Sequence, residues 1–385
     1  MEDLRLMPSY AKFPITLTSG EGAYVWSKDG RRFIDFNTGY GVAILGHCHP
    51  TVLRALKEQS ERLMVCHASL YNDTREEFLE ALFKAVPAHL GRAFLCNSGA
   101  EAVEASLKLA MKRTRRRKFV AFRGAYHGKT IGALSVTWSA KYRGEYESVL
   151  PKVDFATYGD TSQLGQVVRE ETAAVIVEPV QGEGGVRVPP TNFLKEVEEV
   201  CQAKGSLMII DEIQTGLGRT GVMWAHTRSK VKPDIMCLGK GLASGIPIGC
   251  VTATDEIGST WDRGEHTTTF GGNPISCAAG RATLDEIIST QLWNNAEKQG
   301  ARLWAVMNEF PKNVVREVRG VGLMLAVETR LPSAPIMKGL LSKGLLAILT
   351  GMNIIRFLPP INVSASVVGE AAVMLKSEFS AEGDH

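Results

Sequence analysis

The stretch SLMIIDEIQTGLGRTG, residues 206–221, carries two incompatible messages. Its second half, Gly216-Leu-Gly218-Arg-Thr-Gly221, has the G-x-G-x-x-G spacing of a dinucleotide-binding turn. Its first half is an apolar run ending in Asp211-Glu212, the pattern of a buried strand that delivers a carboxylate to a site. A dinucleotide turn needs strand, tight turn and then helix, with an acidic residue about 20 positions on. Here Ile213-Gln214-Thr215 intervenes before Gly216, and the segment after Gly221 contains Pro233 and is too short for a crossover helix. The acidic residue at a suitable distance, Asp234, begins a strand instead of ending one. The glycines therefore read as a flexible active-site loop, and Asp211 is the informative residue.

Outward from this stretch, residues 46–275 alternate helical segments with short apolar strands: KFVAF (118–122), AAVIVEPV (173–180), SLMIIDE (206–212), DIMCLGK (234–240) and GCVTAT (249–254). Strands apolar on both faces, interleaved with amphipathic helices, predict an α/β fold with a mostly parallel central sheet flanked by helices. Ligands bind such sheets beyond the carboxyl ends of the strands. That rule singles out the polar residues ending these strands: Glu178, Asp211 and Lys240. Residues 1–45, with two short strands around Lys28-Asp29-Gly30, form an N-terminal segment expected to join a smaller domain. Residues 276–385, a long helical region (276–310), short strands and a helix from about 365, are expected to supply the rest of that α+β domain.

A carboxylate at a strand end is as readily a helix cap or surface charge, and a terminal lysine is as readily solvated. Together, Asp211 and Lys240 are what pyridoxal 5'-phosphate requires: a carboxylate to keep the pyridine nitrogen protonated, and an amine to bond the aldehyde and then carry protons. An anchor for the phosphate stands at CNSGAEAVEASLKLAMKRT (96–114), where Ser98-Gly-Ala-Glu101 matches a capping box opening an amphipathic helix. First-turn N–H groups and the helix dipole make an anion site there, and Gly99 is expected to let a ligand approach the backbone.

Bulk properties narrow the class further. The 385 residues are 44% hydrophobic, and 44 basic against 41 acidic residues give a formal charge of +3, so nothing global suggests nucleic acid as a partner. Seven scattered cysteines without a C-x-x-C pair fit reduced thiols in a cytoplasm. No export signal and no apolar run approaching a membrane span is visible. His47-Cys48-His49 lacks a further ligand at a convincing spacing, so no metal is expected. The basic run KRTRRRK (112–118) reads first as a solvated helix end that complements the dipole. A second reading is that it docks an acidic carrier protein.

With these residues in place, the chain resembles the class III aminotransferases of pyridoxal-phosphate fold type I. GHCHP, NSGAEAVEASLKLA, AYHGKTIGALS, VEPVQGEGG, DEIQTGLGRTG, LGKGLASGIPIG, TTTFGGNP, VRGVGLM and IIRFLPP fall in that family's order. The likeness is marked for acetylornithine aminotransferases and for the lysine-pathway enzymes that act on lysine or ornithine attached to an acidic amino-group carrier protein. The resemblance implies that Lys240 carries the cofactor, Asp211 pairs with the pyridine nitrogen, and Gln214 lies near the phenolic oxygen. It implies that Tyr126 and Ile213 pack on the two ring faces. Ser98, Gly99 and Ala100 would hold the phosphate, joined by Thr268 and Thr269 of the second subunit of a homodimer. Arg356 would bind the α-carboxylate of glutamate, with Glu183 neutralising it when a terminal amine occupies the site. Lys129 stands where relatives have an arginine that contacts the substrate's other carboxylate.

The implied reaction transfers the terminal amine of an Nα-blocked lysine or ornithine to 2-oxoglutarate, in lysine or arginine biosynthesis. Alternatives within the fold are an ornithine or 4-aminobutyrate aminotransferase or an aminomutase. Alternatives of other classes are a nicotinamide-dependent oxidoreductase, resting on Gly216–Gly221, and a binding protein on the same fold that has lost catalysis.

Overall fold

The computed structural model describes residues 5–381. Seven strands form the central sheet: β1 (Arg92–Cys96), β2 (Lys118–Phe122), β3 (Val153–Ala156), β4 (Thr172–Val177), β5 (Leu207–Asp211), β6 (Ile235–Leu238) and β7 (Gly249–Ala253). Their spatial order is β1-β7-β6-β5-β4-β2-β3. The neighbours from β6 to β3 pair in parallel, whereas β7 is antiparallel to both β1 and β6.

The apolar runs follow from what covers the sheet. Side chains alternate across a strand, so each face needs its own apolar set. On one face Ala174, Ile176 and Ile209 pack with Ala102, Val103 and Leu109 of helix α1 (Gly99–Thr114). On the other, Val175, Val177, Met208 and Ile210 pack with Phe193, Leu194 and Val197 of helix α2 (Phe193–Lys204). Two strands escape the sequence reading. β1 holds Arg92 at its exposed start, and β3 is an edge strand with Asp154 exposed and no apolar run.

The chain ends build two smaller sheets. Leu17–Glu21, Tyr24–Ser27 and Arg32–Asp35 form an antiparallel meander, which Leu345–Leu346 joins in parallel beside Arg32–Asp35. The second sheet has the order Val315–Val321, Met324–Thr329, Ile354–Phe357, Ile348–Thr350. The long helical region is two helices, Pro274–Thr290 and Leu292–Asn308, divided at Gln291, whose φ of 50° is left-handed. The last helix is Ala365–Ala381.

The glycine-rich stretch after β5 is not the flexible loop expected. Only a five-residue 3-10 helix, Ala225–Ser229, stands between Gly221 and β6, not the crossover helix a dinucleotide turn needs, which removes that reading. Leu217, Arg219 and Thr220 are buried, and Leu323 N–H donates to the Arg219 carbonyl at 3.0 Å. Arg219 donates through Nη1 to the carbonyl of Leu323 at 3.1 Å and to that of Pro359. Burial pulls its guanidinium pKa down to about 9. A Cβ at Gly216 would lie 2.6 Å from the Trp224 ring, so the glycine is needed for packing. Among the described residues no helix is long and apolar enough to cross a membrane.

Candidate active site

Asp211 and Lys240 leave neighbouring strands at the carboxyl edge. Asp211 of β5 is in register with Cys237 of β6, three residues before Lys240. The Asp211 carboxylate is buried. Its Oδ1 accepts from the Ile213 N–H at 3.0 Å, and its Oδ2 lies 2.6 Å from Nδ1 of the buried His127. His127 in turn receives the Thr137 hydroxyl oxygen as acceptor for its backbone N–H at 2.9 Å, and its Nε2 has no partner among the described residues. Sequence reasoning missed His127, because its partner is 84 residues away. The next residue, Glu212, points to the opposite face. It accepts from His226 N–H, pairs with His226 Nδ1 at 2.8 Å in each case, and accepts from the Thr215 hydroxyl.

Lys240 has a left-handed φ of 44°, a conformation costing a non-glycine residue about 1 kcal/mol or more and commonest at functional sites. Its amine has no hydrogen-bond or ion-pair partner among the described residues. Burial lowers its pKa, against the opposing charges of Asp211 and Glu183. A desolvated, unpartnered amine is the form that attacks an aldehyde.

The start of α1 adjoins it: a Cβ at Gly239 would lie 3.3 Å from the Cα and amide nitrogen of Gly99. Ser98 caps α1, accepting from the Glu101 N–H at 3.2 Å, while Glu101 reaches back to the Asn97 N–H at 2.8 Å. The first-turn N–H groups of Gly99 and Ala100 have no carbonyl four residues back to bind, which suits an anion. The glycine has a packing reason besides the one expected. A Cβ at Gly99 would meet Ile213 at 2.9 Å, so close packing of Ile213 excludes any side chain there. The Thr268 hydroxyl accepts from Asn97 Nδ2 of the same chain at 3.2 Å, and Thr269 is exposed.

A second cluster stands around Arg356, on the strand Ile354–Phe357. The guanidinium is fully buried. It donates to Gln214 Oε1 at 2.9 Å and to Glu183 Oε1 at 2.5 Å, and lies 5.7 Å from the centroid of the Tyr40 ring. Its Nε has no partner among the described residues. Tyr126, half-buried, meets Tyr142 edge-on at 6.1 Å. Burial, helped by the Glu183 charge, pushes the Tyr126 phenol up to about 12. Lys129 is exposed, and its ammonium sits 4.2 Å from the Tyr142 centroid and 6.0 Å from that of Tyr126. Tyr40 and Tyr142 carry no motif signal, and only the fold brings them here. Glu178, just past β4, accepts from the N–H groups of Tyr126 and Gly182, both at 3.1 Å. Burial is the main cause lifting its carboxyl to about 7, with Asp211 adding to the shift and His127 opposing it.

The basic run lies elsewhere. Lys112 pairs with Asp262 and Glu265 at 3.2 and 2.6 Å, Arg113 with Glu256, and Lys118 with Glu171 at 3.0 Å. Arg116 donates to the carbonyls of Thr172, Lys204 and Gly205. These residues stand at the far end of α1, roughly 24 Å from its first turn at 1.5 Å per residue. His47 is bonded to the Asp35 carboxylate at 2.7 Å.

A lone amine on one strand end, a carboxylate on the next and free helical N–H groups beside them fit pyridoxal 5'-phosphate, and define the class as enzymes of that cofactor. Comparison with known proteins agrees. The family profile described as Aminotransferase class-III matches residues 6–378. The chain is 46% identical over 322 residues to an acetylornithine aminotransferase of Methanopyrus kandleri, covering 84% of this chain and 82% of that protein. It is 41% identical to a [LysW]-aminoadipate semialdehyde/glutamate semialdehyde transaminase of Sulfolobus acidocaldarius, covering 97% of each. The crystal structure of an ornithine aminotransferase from Toxoplasma gondii superposes with a TM-score of 0.95 at 32% identity, covering 100% of this chain and 94% of that one. The chain belongs to the class-III aminotransferases, and is a pyridoxal-phosphate-dependent transaminase of amino-acid biosynthesis.

Proposed function

We propose that the enzyme moves the terminal amine of an Nα-blocked ornithine or lysine to 2-oxoglutarate, with the blocking group either acetyl or an acidic carrier protein. The observation that carries this is the buried Arg356 held by Glu183 and Gln214. One pocket must accept a dicarboxylate in one half of the cycle and an apolar chain with a terminal amine in the other. A guanidinium grips a carboxylate through two parallel hydrogen bonds. A glutamate that takes its place between turnovers keeps the buried charge neutral when no carboxylate is bound. The names of the acetylornithine and [LysW]-linked relatives support the substrate class.

In this reading Ser98, Gly99 and Ala100 hold the phosphate, joined by Thr268 and Thr269 of a second subunit. Asp211, oriented by His127, keeps the ring nitrogen protonated, and Gln214 faces the phenolic oxygen. Tyr126 and Ile213 confine the ring. The cofactor, when bound, supplies an electron sink for the carbon that loses its proton. Lys240 is the group that removes that proton on one face and returns it at the neighbouring position. A carrier docked on residues 112–118 would have to span roughly the length of α1 to reach Lys240, and three of the six basic residues there are already ion-paired. High salt should then depress turnover of carrier-linked substrate no more than that of acetylornithine.

A coupled glutamate-release assay tests the substrate class. Turnover of acetylornithine, or of lysine or ornithine linked to a carrier, should exceed that of 4-aminobutyrate by at least about tenfold, since the last lacks the blocked end; equal rates would refute the reading. Lys129 bears on the same question. Its single ammonium replaces a two-pronged guanidinium, and Tyr142 seats it by a cation–π contact worth about 0.5–1 kcal/mol at an exposed site. Lys129→Arg should lower KM for the blocked donor several-fold and change kcat less. An unchanged KM for donor and acceptor alike would remove Lys129 from the substrate site.

A further inference from the structure

The switch between Arg356's two partners needs a fixed root, and the sequence motif does not say what supplies it. Glu183 projects from the loop 181–187, which closes on itself through the reciprocal backbone hydrogen bonds of Gln181 and Arg187, both 3.0 Å. Gly182 is wedged against the arginine's partners: a Cβ there would lie 2.0 Å from Gln214 Oε1 and 3.2 Å from Arg356 Nη1. The Gly182 N–H, one residue before Glu183, is held by Glu178 Oε2. The other oxygen of the same carboxylate holds the N–H of Tyr126, next to the His127 that orients Asp211. The Tyr158 hydroxyl donates to the Glu178 carbonyl at 2.9 Å and fixes its backbone from behind.

We infer that Glu178 is the positioning residue of the substrate switch: its carboxylate pins the backbone of Gly182 so that Glu183 alone swings on and off Arg356. The inference rests on the two-partner reading of Arg356 given above. The two oxygens have different jobs. One ties down the loop that bears Glu183, and the other ties down the segment that bears Tyr126 and His127, so the Glu183 loop and the ring-nitrogen carboxylate share one anchor. Only a carboxylate does this. A glutamine has one acceptor oxygen, and its NH2 would face one of the two N–H groups. A buried N–H without a partner costs enough to displace a loop.

The experiment measures KM and kcat for the blocked amine and for 2-oxoglutarate in wild type, Glu178→Gln, Glu183→Gln and the double variant. Glu178→Gln should raise KM for the amine about tenfold, the worth of one buried hydrogen bond, while KM for 2-oxoglutarate stays within about twofold. The carboxylate-bound state does not use Glu183, and so does not feel its root. In the Glu183→Gln background the Glu178 effect on amine KM should vanish, because residues acting through one another are not additive. Equal changes in both KM values, or full additivity in the double variant, would reduce Glu178 to general structural support and overturn the inference. If Glu183→Gln itself shows no preference between amine and dicarboxylate, the two-partner reading fails and the assignment of Glu178 falls with it. Should Glu178→Gln yield no folded protein, Glu178→Asp keeps both acceptor oxygens but sets them back by one methylene. It must give the same split between the two substrates, and a uniform loss would count against the proposal.

Discussion

Lys240→Ala should lower kcat by about 10⁴-fold, the upper range for removing a positioned proton-transfer group. In the proposed reading the whole chemistry converges on this side chain, since the amine that would tether the cofactor would also be the base in reach of the reacting carbon. The structure adds a second expectation, on stability. The amine is desolvated and unpaired, and its residue holds a left-handed φ. Removing the amine therefore takes away a cost to the fold, and the cofactor-free variant should melt no lower than cofactor-free wild type. Small primary amines added to the assay should restore part of the rate, because they replace the base without the tether. The decisive readout is the mass of the borohydride-reduced holoprotein, which should carry the added cofactor on Lys240. An adduct on another residue, or a variant retaining a tenth of the activity, would end the assignment.

Asp211→Asn is the second large effect. The substitution keeps the volume and the acceptor for the Ile213 N–H but removes the charge that the proposed reading sets opposite the ring nitrogen. A preorganised charge of this kind is worth about 10²–10³-fold in kcat when lost, and cofactor affinity should fall as well. His127 makes the outcome more specific. Its Nδ1 pairs with Asp211 at 2.6 Å, so a neutral asparagine forces either a tautomer change or a broken contact in a fully buried place. His127→Asn should thus reproduce a fraction of the Asp211→Asn loss, with little additional effect when the two are combined. Fully additive losses would show that His127 does not act through Asp211. A kcat unchanged in Asp211→Asn would remove the carboxylate from the chemistry altogether.

Much of this is legible in the amino-acid order alone, for a physical reason. A strand buried on both faces has no freedom in composition, so β2, β4, β5, β6 and β7 announce themselves as apolar runs. A polar residue at the exit of such a strand has few places to go but the carboxyl edge, so Glu178, Asp211 and Lys240 stood out. What escaped was everything fixed by meetings between distant segments. The pairing of His127 with Asp211, Tyr40 beneath Arg356 and Tyr142 beneath Lys129 leave no periodic trace. β3 was invisible because an edge strand has one neighbour and tolerates charge. The glycines misled in both directions. Gly99 and Gly216 are each required by close packing, of Ile213 and of Trp224, which the sequence around them does not announce. Arg219, in a stretch that reads as polar and loose, is among the most deeply buried side chains.

That arginine has a bearing on how the protein is made. Its guanidinium is satisfied by carbonyls of Leu323 and Pro359, the Thr38 hydroxyl donates to Leu358 O, and the N-terminal meander gains its fourth strand from Leu345–Leu346. A nascent chain cannot tie these knots until roughly residue 360 has left the ribosome tunnel. The sheet with Asp211 and Lys240 is complete long before that, so the cofactor pocket waits, half-walled, for the last segment to be synthesised.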